Sequence, residues 1–79
     1  MIINNSKDFG VALRERRKQL GYTQAFLSEF SGLSVSFISD LERGKATAEL
    51  GKSLFLANLV GLDISLTSRE FVLRQPMIS

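Results

Sequence analysis

Apolar positions along the chain fall into four stretches with helical spacing and one with the spacing of a strand. In the first stretch Phe9, Leu13 and Leu20 recur at intervals of four and seven with Ala12 beside them, which is one face of a helix. Ser6 stands at its start as a cap and Gly21 at its end, so a helix from Ser6 to about Leu20 is predicted. Thr23 can cap a short second helix, Gln24 to Phe30. Ser31-Gly32-Leu33 then makes a tight connection in which Gly32 supplies the positive φ that such a turn needs. Ser34 caps a third helix, Val35 to Arg43, which Gly44 closes. Thr47 caps a fourth that runs to about Val60, with Leu50, Leu54, Ala57 and Leu59 or Val60 facing inward and Gly61 as its stop.

Beyond Gly61 the period changes. Asp63-Ile64-Ser65-Leu66-Thr67-Ser68 alternates polar and apolar residues with period two, a strand signature. It is the only strand the chain predicts, so it has no internal partner. Pairing with a second copy across a two-fold axis is the economical solution, with Ile64 and Leu66 facing a shared core as the dimerisation residues. The tail from Arg69 to Ser79 carries Phe71, Val72, Leu73, Met77 and Ile78 and is too apolar to read as a solvated tail. The expected fold class is all-α, a compact domain of four to five helices with a short C-terminal β-strand that pairs across a dimer.

Composition narrows the function. At 79 residues there is room for one small domain with a marginal core, for which dimerisation is a common remedy. Hydrophobic residues make up 44%, too many for a chain disordered by composition. Cysteine is absent, which excludes disulfides and thiolate metal sites. Histidine is absent too, which removes the usual metal ligand and general base. Nothing supplies an activated nucleophile, so neither catalysis, nor a cofactor, nor a metal is expected. Met1-Ile2-Ile3-Asn4-Asn5 has neither a basic n-region nor an apolar h-region, and no apolar run approaches the roughly 20 residues that span a bilayer. A cytoplasmic protein without a membrane partner is the expectation. The net charge of +2 says less than its distribution: Arg14, Arg16, Arg17, Lys18, Arg43 and Lys45 all fall in the first 45 residues, where a fold can bring them together.

The sharpest signal is Thr23-Gln24-Ala25-Phe26-Leu27-Ser28, then Ser31-Gly32-Leu33-Ser34, then Ile38-Ser39-Asp40-Leu41-Glu42-Arg43-Gly44-Lys45. Leu27 faces inward, and Ser28 is small enough to let the second and third helices approach. Leu33, Ile38 and Leu41 plug the third helix into the core. Ser34, Val35, Ser36, Ser39 and Asp40 are left on its outer side, where a helix can enter a major groove about 12 Å wide. Arg43 and Lys45 lie just past that helix, placed to meet phosphates. Gln24, at the first position of its helix, can hold a phosphate with its amide and the helix N-terminus, or stand in solvent.

Arg17, Thr23-Gln24, Leu27, Gly32-Leu33-Ser34, Ile38 and Leu41-Glu42-Arg43-Gly44-Lys45 together resemble the lambda-repressor-like (Xre/Cro) helix-turn-helix family over about residues 8–60. Within that family, Thr47-Ala48-Glu49-Leu50-Gly51-Lys52 and Gly61-Leu62-Asp63-Ile64-Ser65-Leu66 look like HipB-type antitoxins. The resemblance implies a lambda-repressor-like domain in which residues 1–61 form the helix-turn-helix body and residues 62–79 the dimerisation strand and tail. It implies a sequence-specific transcriptional repressor of its own operon. The implied partners are duplex DNA with a palindromic operator, a second copy of the chain, and a HipA-like kinase toxin. It also implies that Arg17 pairs with Glu42 and ties the first helix to the third; a phosphate contact is the other reading of Arg17.

Several readings stay open. The outer face of the third helix has no Arg, Lys, Gln or Asn before Arg43, so bidentate reading of guanine or adenine is scarce. Val35 can touch a thymine methyl, Ser34 and Ser36 can make single hydrogen bonds, and Asp40 can accept from a cytosine amine or instead pair with Arg43. DNA shape should carry part of the specificity. Phe37 reads as half-buried packing or as a base contact. Phe26 and Phe30, four apart on the second helix, turn outward as ordinary surface aromatics or as a patch for a partner protein. Arg14, Arg16 and Lys18 read as a solvated face, from which one of them can reach DNA. Ala46-Thr47-Ala48-Glu49-Leu50-Gly51-Lys52-Ser53 satisfies a loose nucleotide-loop pattern, but a phosphate loop must follow a buried strand in a βαβ unit, which this chain cannot hold. A stand-alone Xre-type repressor and a protein-interaction module with a degenerate DNA-reading helix are the alternative functions.

Overall fold

The computed structural model describes residues 2–68. Four helices follow one another: α1 Ser6–Gln19, α2 Gln24–Ser31, α3 Val35–Glu42 and α4 Leu50–Leu59. Each starts on a side chain that accepts from an N–H left unpaired by the helix itself. Thr23 Oγ1 accepts from Phe26 N and Ser34 Oγ from Phe37 N, both at 3.0 Å, so these two caps stand where the sequence puts them. The cap of α1 is Asn5, whose Oδ1 accepts from Asp8 N at 2.8 Å. Ser6, the expected cap, instead donates its hydroxyl to Gly44 O at 2.9 Å and ties the start of α1 to the end of α3. Gly32, with φ of 80°, makes the turn from α2.

The core is built from Leu13, Leu27, Ile38, Leu41, Leu56 and Val60, with Phe9, Leu20, Tyr22, Leu33 and Phe37 packed around its edge. Burying a side chain of this size contributes roughly 1.5–3 kcal/mol. The third helix packs on both α1 and α2. Gly10 makes the first of these contacts possible. A Cβ at that position would lie 2.4 Å from Leu41 O and 2.6 Å from Glu42 O, so only hydrogen lets α1 lie against the last turn of α3.

The fourth helix departs from expectation in its start and in its phase. Its cap is Glu49, not Thr47: the carboxylate accepts from Gly51 N at 3.1 Å and from Lys52 N at 2.6 Å. Its inner face is Ser53, Leu56, Ala57 and the following Val60. Leu50, expected inside, is 68% exposed, and Leu54 is half-buried. Leu50, Leu54, Phe55, Leu56, Ala57 and Leu59 surround this helix, so periodicity alone selects no face. Ser53 is satisfied on the inner side by donating to Glu49 O at 2.7 Å. Arg16 Nε donates to Val60 O at 2.8 Å and fastens the end of α4 to α1.

The strand expected over residues 63–68 is not formed. No strand is present among the described residues, and Ile64 and Leu66 are exposed. A strand exists through its ladder of hydrogen bonds to a neighbour, and one chain offers this segment no second edge. Residues 69–79, with the apolar tail, lie outside the described residues. No helix among the described residues is long and apolar enough to cross a membrane.

Candidate nucleic-acid interface

Beneath the outer surface of α3 lies a buried clasp. Arg17 Nε donates to Glu42 Oε2 at 2.6 Å and Nη2 to Glu42 Oε1 at 2.9 Å, a two-pronged pair joining α1 to α3. Arg17 Nη1 also donates to Tyr22 O at 2.8 Å, and Gln24 Nε2 donates to Glu42 Oε1 at 3.0 Å. Burial pushes the Glu42 carboxyl up, but hydrogen bonds from Arg17 and Gln24 outweigh it and hold the group below its ordinary value. The hydrogen bond to Glu42 raises Arg17 above its ordinary value against the opposing effect of burial. Arg17 is therefore turned into the protein, toward Glu42, and not toward the solvent that a phosphate would occupy. Gln24 is also part of this clasp. Its amide gives one of its two N–H groups to Glu42, and the first N–H groups of α2 stand beside it as further donors at the helix start.

The outer face of α3 presents Ser34, Val35 and Ser36, all exposed, with Ser39 and Asp40 half-buried beside them. Phe37 is half-buried against the core, and Lys52 Nζ lies 5.9 Å from its ring centroid. Asp40 bridges two cations: Arg43 Nη2 donates to its Oδ1 at 2.7 Å, and Lys45 Nζ stands 3.5 Å from its Oδ2. Arg43 and Lys45 are both exposed, just past the helix end. Arg14, read from the sequence as part of a solvated face, joins Gln24, Ser39, Glu42 and Arg43 around a shallow polar depression of about 270 Å³. Only the packing of α1 on α3 brings Arg14 there. Cation, carboxamide, hydroxyl and helix N-terminus thus converge on the side of α3 that leads to solvent, an arrangement suited to phosphodiester oxygens.

Phe26 and Phe30 are exposed and stack with ring centroids 6.0 Å apart and planes 9° apart; Tyr22 leans on Phe26 at 4.8 Å. Ile64 and Leu66 lie away from these groups in sequence and are exposed at the end of the described chain. The loose nucleotide-loop pattern has no vacancy for a phosphate. The Glu49 carboxylate already takes the N–H groups of Gly51 and Lys52.

Two short helices joined by a three-residue turn, the second with a capped, exposed N-terminal end and cations just beyond its C-terminal end, define a helix-turn-helix unit. The chain belongs to the Helix-turn-helix (HTH_3) family, Xre/lambda-repressor-like, which matches residues 13–66. It is 36% identical over 64 residues to the uncharacterized HTH-type transcriptional regulator y4mF of Sinorhizobium fredii, spanning 81% of this chain and 84% of that protein. The family is one of DNA-binding regulators, not enzymes. The fold is similar to HipB in a HipB–O4 20mer complex, with a TM-score of 0.79, 21% identity, and coverage of 89% of this chain and 99% of that one. HipB in a HipA–HipB–O2–O3 complex is similar to the same degree, again 0.79 and 21%, over 89% of this chain and 99% of that one.

Proposed function

We propose that this chain is a dimeric, sequence-specific transcriptional repressor of HipB type. The observation that carries the reading is the exposed outer face at the start of α3, with Arg43 and Lys45 past its end and the α2 N-terminus beside it. Val35, Ser36 and the neighbouring Ser34 would enter the major groove, while Arg43, Lys45, Arg14 and the first N–H groups of α2 would grip phosphates. Phosphate contacts then supply most of the affinity. Residues 62–79 would complete the domain as its dimerisation element. Two exposed 63–68 segments pairing across a two-fold axis would cover Ile64 and Leu66 and set two α3 helices about one helical turn of DNA apart, roughly 34 Å. Likeness to a HipB fold that was solved with HipA supports a further role as an antitoxin that autoregulates its operon and binds a HipA-like kinase toxin. The stacked Phe26 and Phe30 are a candidate surface for that partner.

The test is a binding titration of the full chain on cognate and scrambled duplexes at several salt concentrations. Arg43→Ala and Lys45→Ala should weaken binding to all sequences and each lower the salt slope by about one phosphate. Val35 and Ser36 substitutions should alter which duplex is preferred. Salt-independent binding, or no binding to any duplex, would sink this reading and favour a protein-interaction module built on Phe26 and Phe30. Proline in place of Ser65 should leave a monomer in sedimentation where the parent is a dimer.

A further inference from the structure

Asp40 is the one acidic side chain on the outer side of α3, since Glu42 is buried in the clasp. Its two oxygens are divided between Arg43 at 2.7 Å and Lys45 at 3.5 Å. Lys45 N also donates to Asp40 O at 3.0 Å, so the main chain pins the loop to α3 whatever side chain stands at this position. A single anion is thus shared by the two cations assigned to DNA phosphates.

We propose that Asp40 sets specificity: it competes with duplex phosphates for Arg43 and Lys45, and yields only where the major groove offers it an exocyclic amine, that of cytosine. This inference rests on the DNA-binding reading. For Arg43 and Lys45 to turn to phosphates, their pairs with Asp40 must loosen. The carboxylate then stands beside a polyanion without its counter-charges. A cytosine N4 amine gives it a donor, whereas guanine O6 and N7 and thymine O4 are acceptors and repel it. Adenine offers N6 as a donor, but sets the acceptor N7 next to it, and a carboxylate has no proton for N7. Phosphate contacts carry no sequence information by themselves. A penalty relieved by one base edge converts them into discrimination, the repulsive half of a specific interface. The chain needs such a device because Ser34, Val35 and Ser36 provide no bidentate grip on a base.

The experiment lets full-length wild-type and Asp40→Asn chains each select duplexes from a random-sequence pool, followed by titration on the selected and on a scrambled duplex. Asparagine keeps the shape, loses the charge, and matches adenine N6 and N7. The wild-type pool should carry cytosine at one fixed position in each half-site, and the variant pool adenine there. The variant should bind scrambled duplex about five- to tenfold tighter than wild type. Asp40→Ala should share the tighter scrambled binding without gaining the adenine preference. An unchanged motif with unchanged scrambled affinity overturns the proposal and leaves DNA binding intact. Equal weakening on both duplexes also overturns it and makes Asp40 a positioning group for the two cations. A wild-type chain that enriches no duplex overturns both this inference and the DNA-binding reading beneath it.

Discussion

Two arginine–carboxylate pairs sit on α3 and its flanks, and their shortest contacts are alike, although the first pair is two-pronged and the second is not. Arg17 reaches Glu42 at 2.6 Å and Arg43 reaches Asp40 at 2.7 Å. Their surroundings differ. The side chains of the first pair are 9% and 2% exposed, those of the second 72% and 29%. Opposite charges about 4 Å apart attract by about 1 kcal/mol in water and several times more where protein replaces water. The exposed pair is therefore worth about 0–1 kcal/mol, weak enough to exchange for another anion once Asp40 has a new donor. The buried pair cannot exchange, because separating it strands a charge that water does not reach. The shortest distance within a pair does not reveal its role; burial does. One pair is a fastener, and the other is an exchangeable restraint on its cation.

The comparison breaks most visibly by removing one half of the fastener. Arg17→Ala or Glu42→Ala should lower stability by about 3–5 kcal/mol, read from urea denaturation of the full chain. A loss below about 1 kcal/mol, comparable with an exposed pair, would erase the contrast. Prising the helices apart comes next. Gly10→Ala places a methyl on the carbonyls of Leu41 and Glu42, and the forced separation of α1 from α3 should cost about 1–3 kcal/mol in the same assay.

Acid sharpens the contrast without mutating the fastener in the parent. The folded-state Glu42 carboxyl lies below its ordinary value, so the unfolded chain takes up this proton at higher pH than the folded chain. The stabilisation from Glu42 is complete above the ordinary glutamate value of about 4.3 and fades as pH falls through the folded value. Urea midpoints should therefore drop more steeply for wild type than for Glu42→Gln between about pH 5 and about pH 3. Parallel curves would show that Glu42 titrates alike in both states. The smallest expected effect is at the exposed pair. Arg43→Ala should change stability by no more than about 0.5 kcal/mol while lowering the salt slope of DNA binding. A large loss of stability would make Arg43 a second fastener.

Much of the DNA-binding unit was legible in the sequence because its signals are local. Thr23 and Ser34 cap helices through N–H groups three residues away, and Gly32 turns the chain through its own φ. Leu27, Ile38 and Leu41 are buried as their spacing requires. The pairing of Arg17 with Glu42, 25 residues apart, came from family resemblance and not from spacing. What the sequence could not determine depends on distant groups. The phase of α4 is not written in its sequence because apolar residues surround that helix; the fold exposes Leu50 and buries Leu56 and Val60. Gly10 and Arg16 look unremarkable along the chain. Their roles exist only where α1 meets the carbonyls of Leu41, Glu42 and Val60. Gln24 turns its amide to Glu42 because α1 holds that carboxylate within reach. The alternation from Asp63 to Ser68 marks a segment able to form a strand, but the ladder that would make it one needs a second edge, which a single chain does not contain.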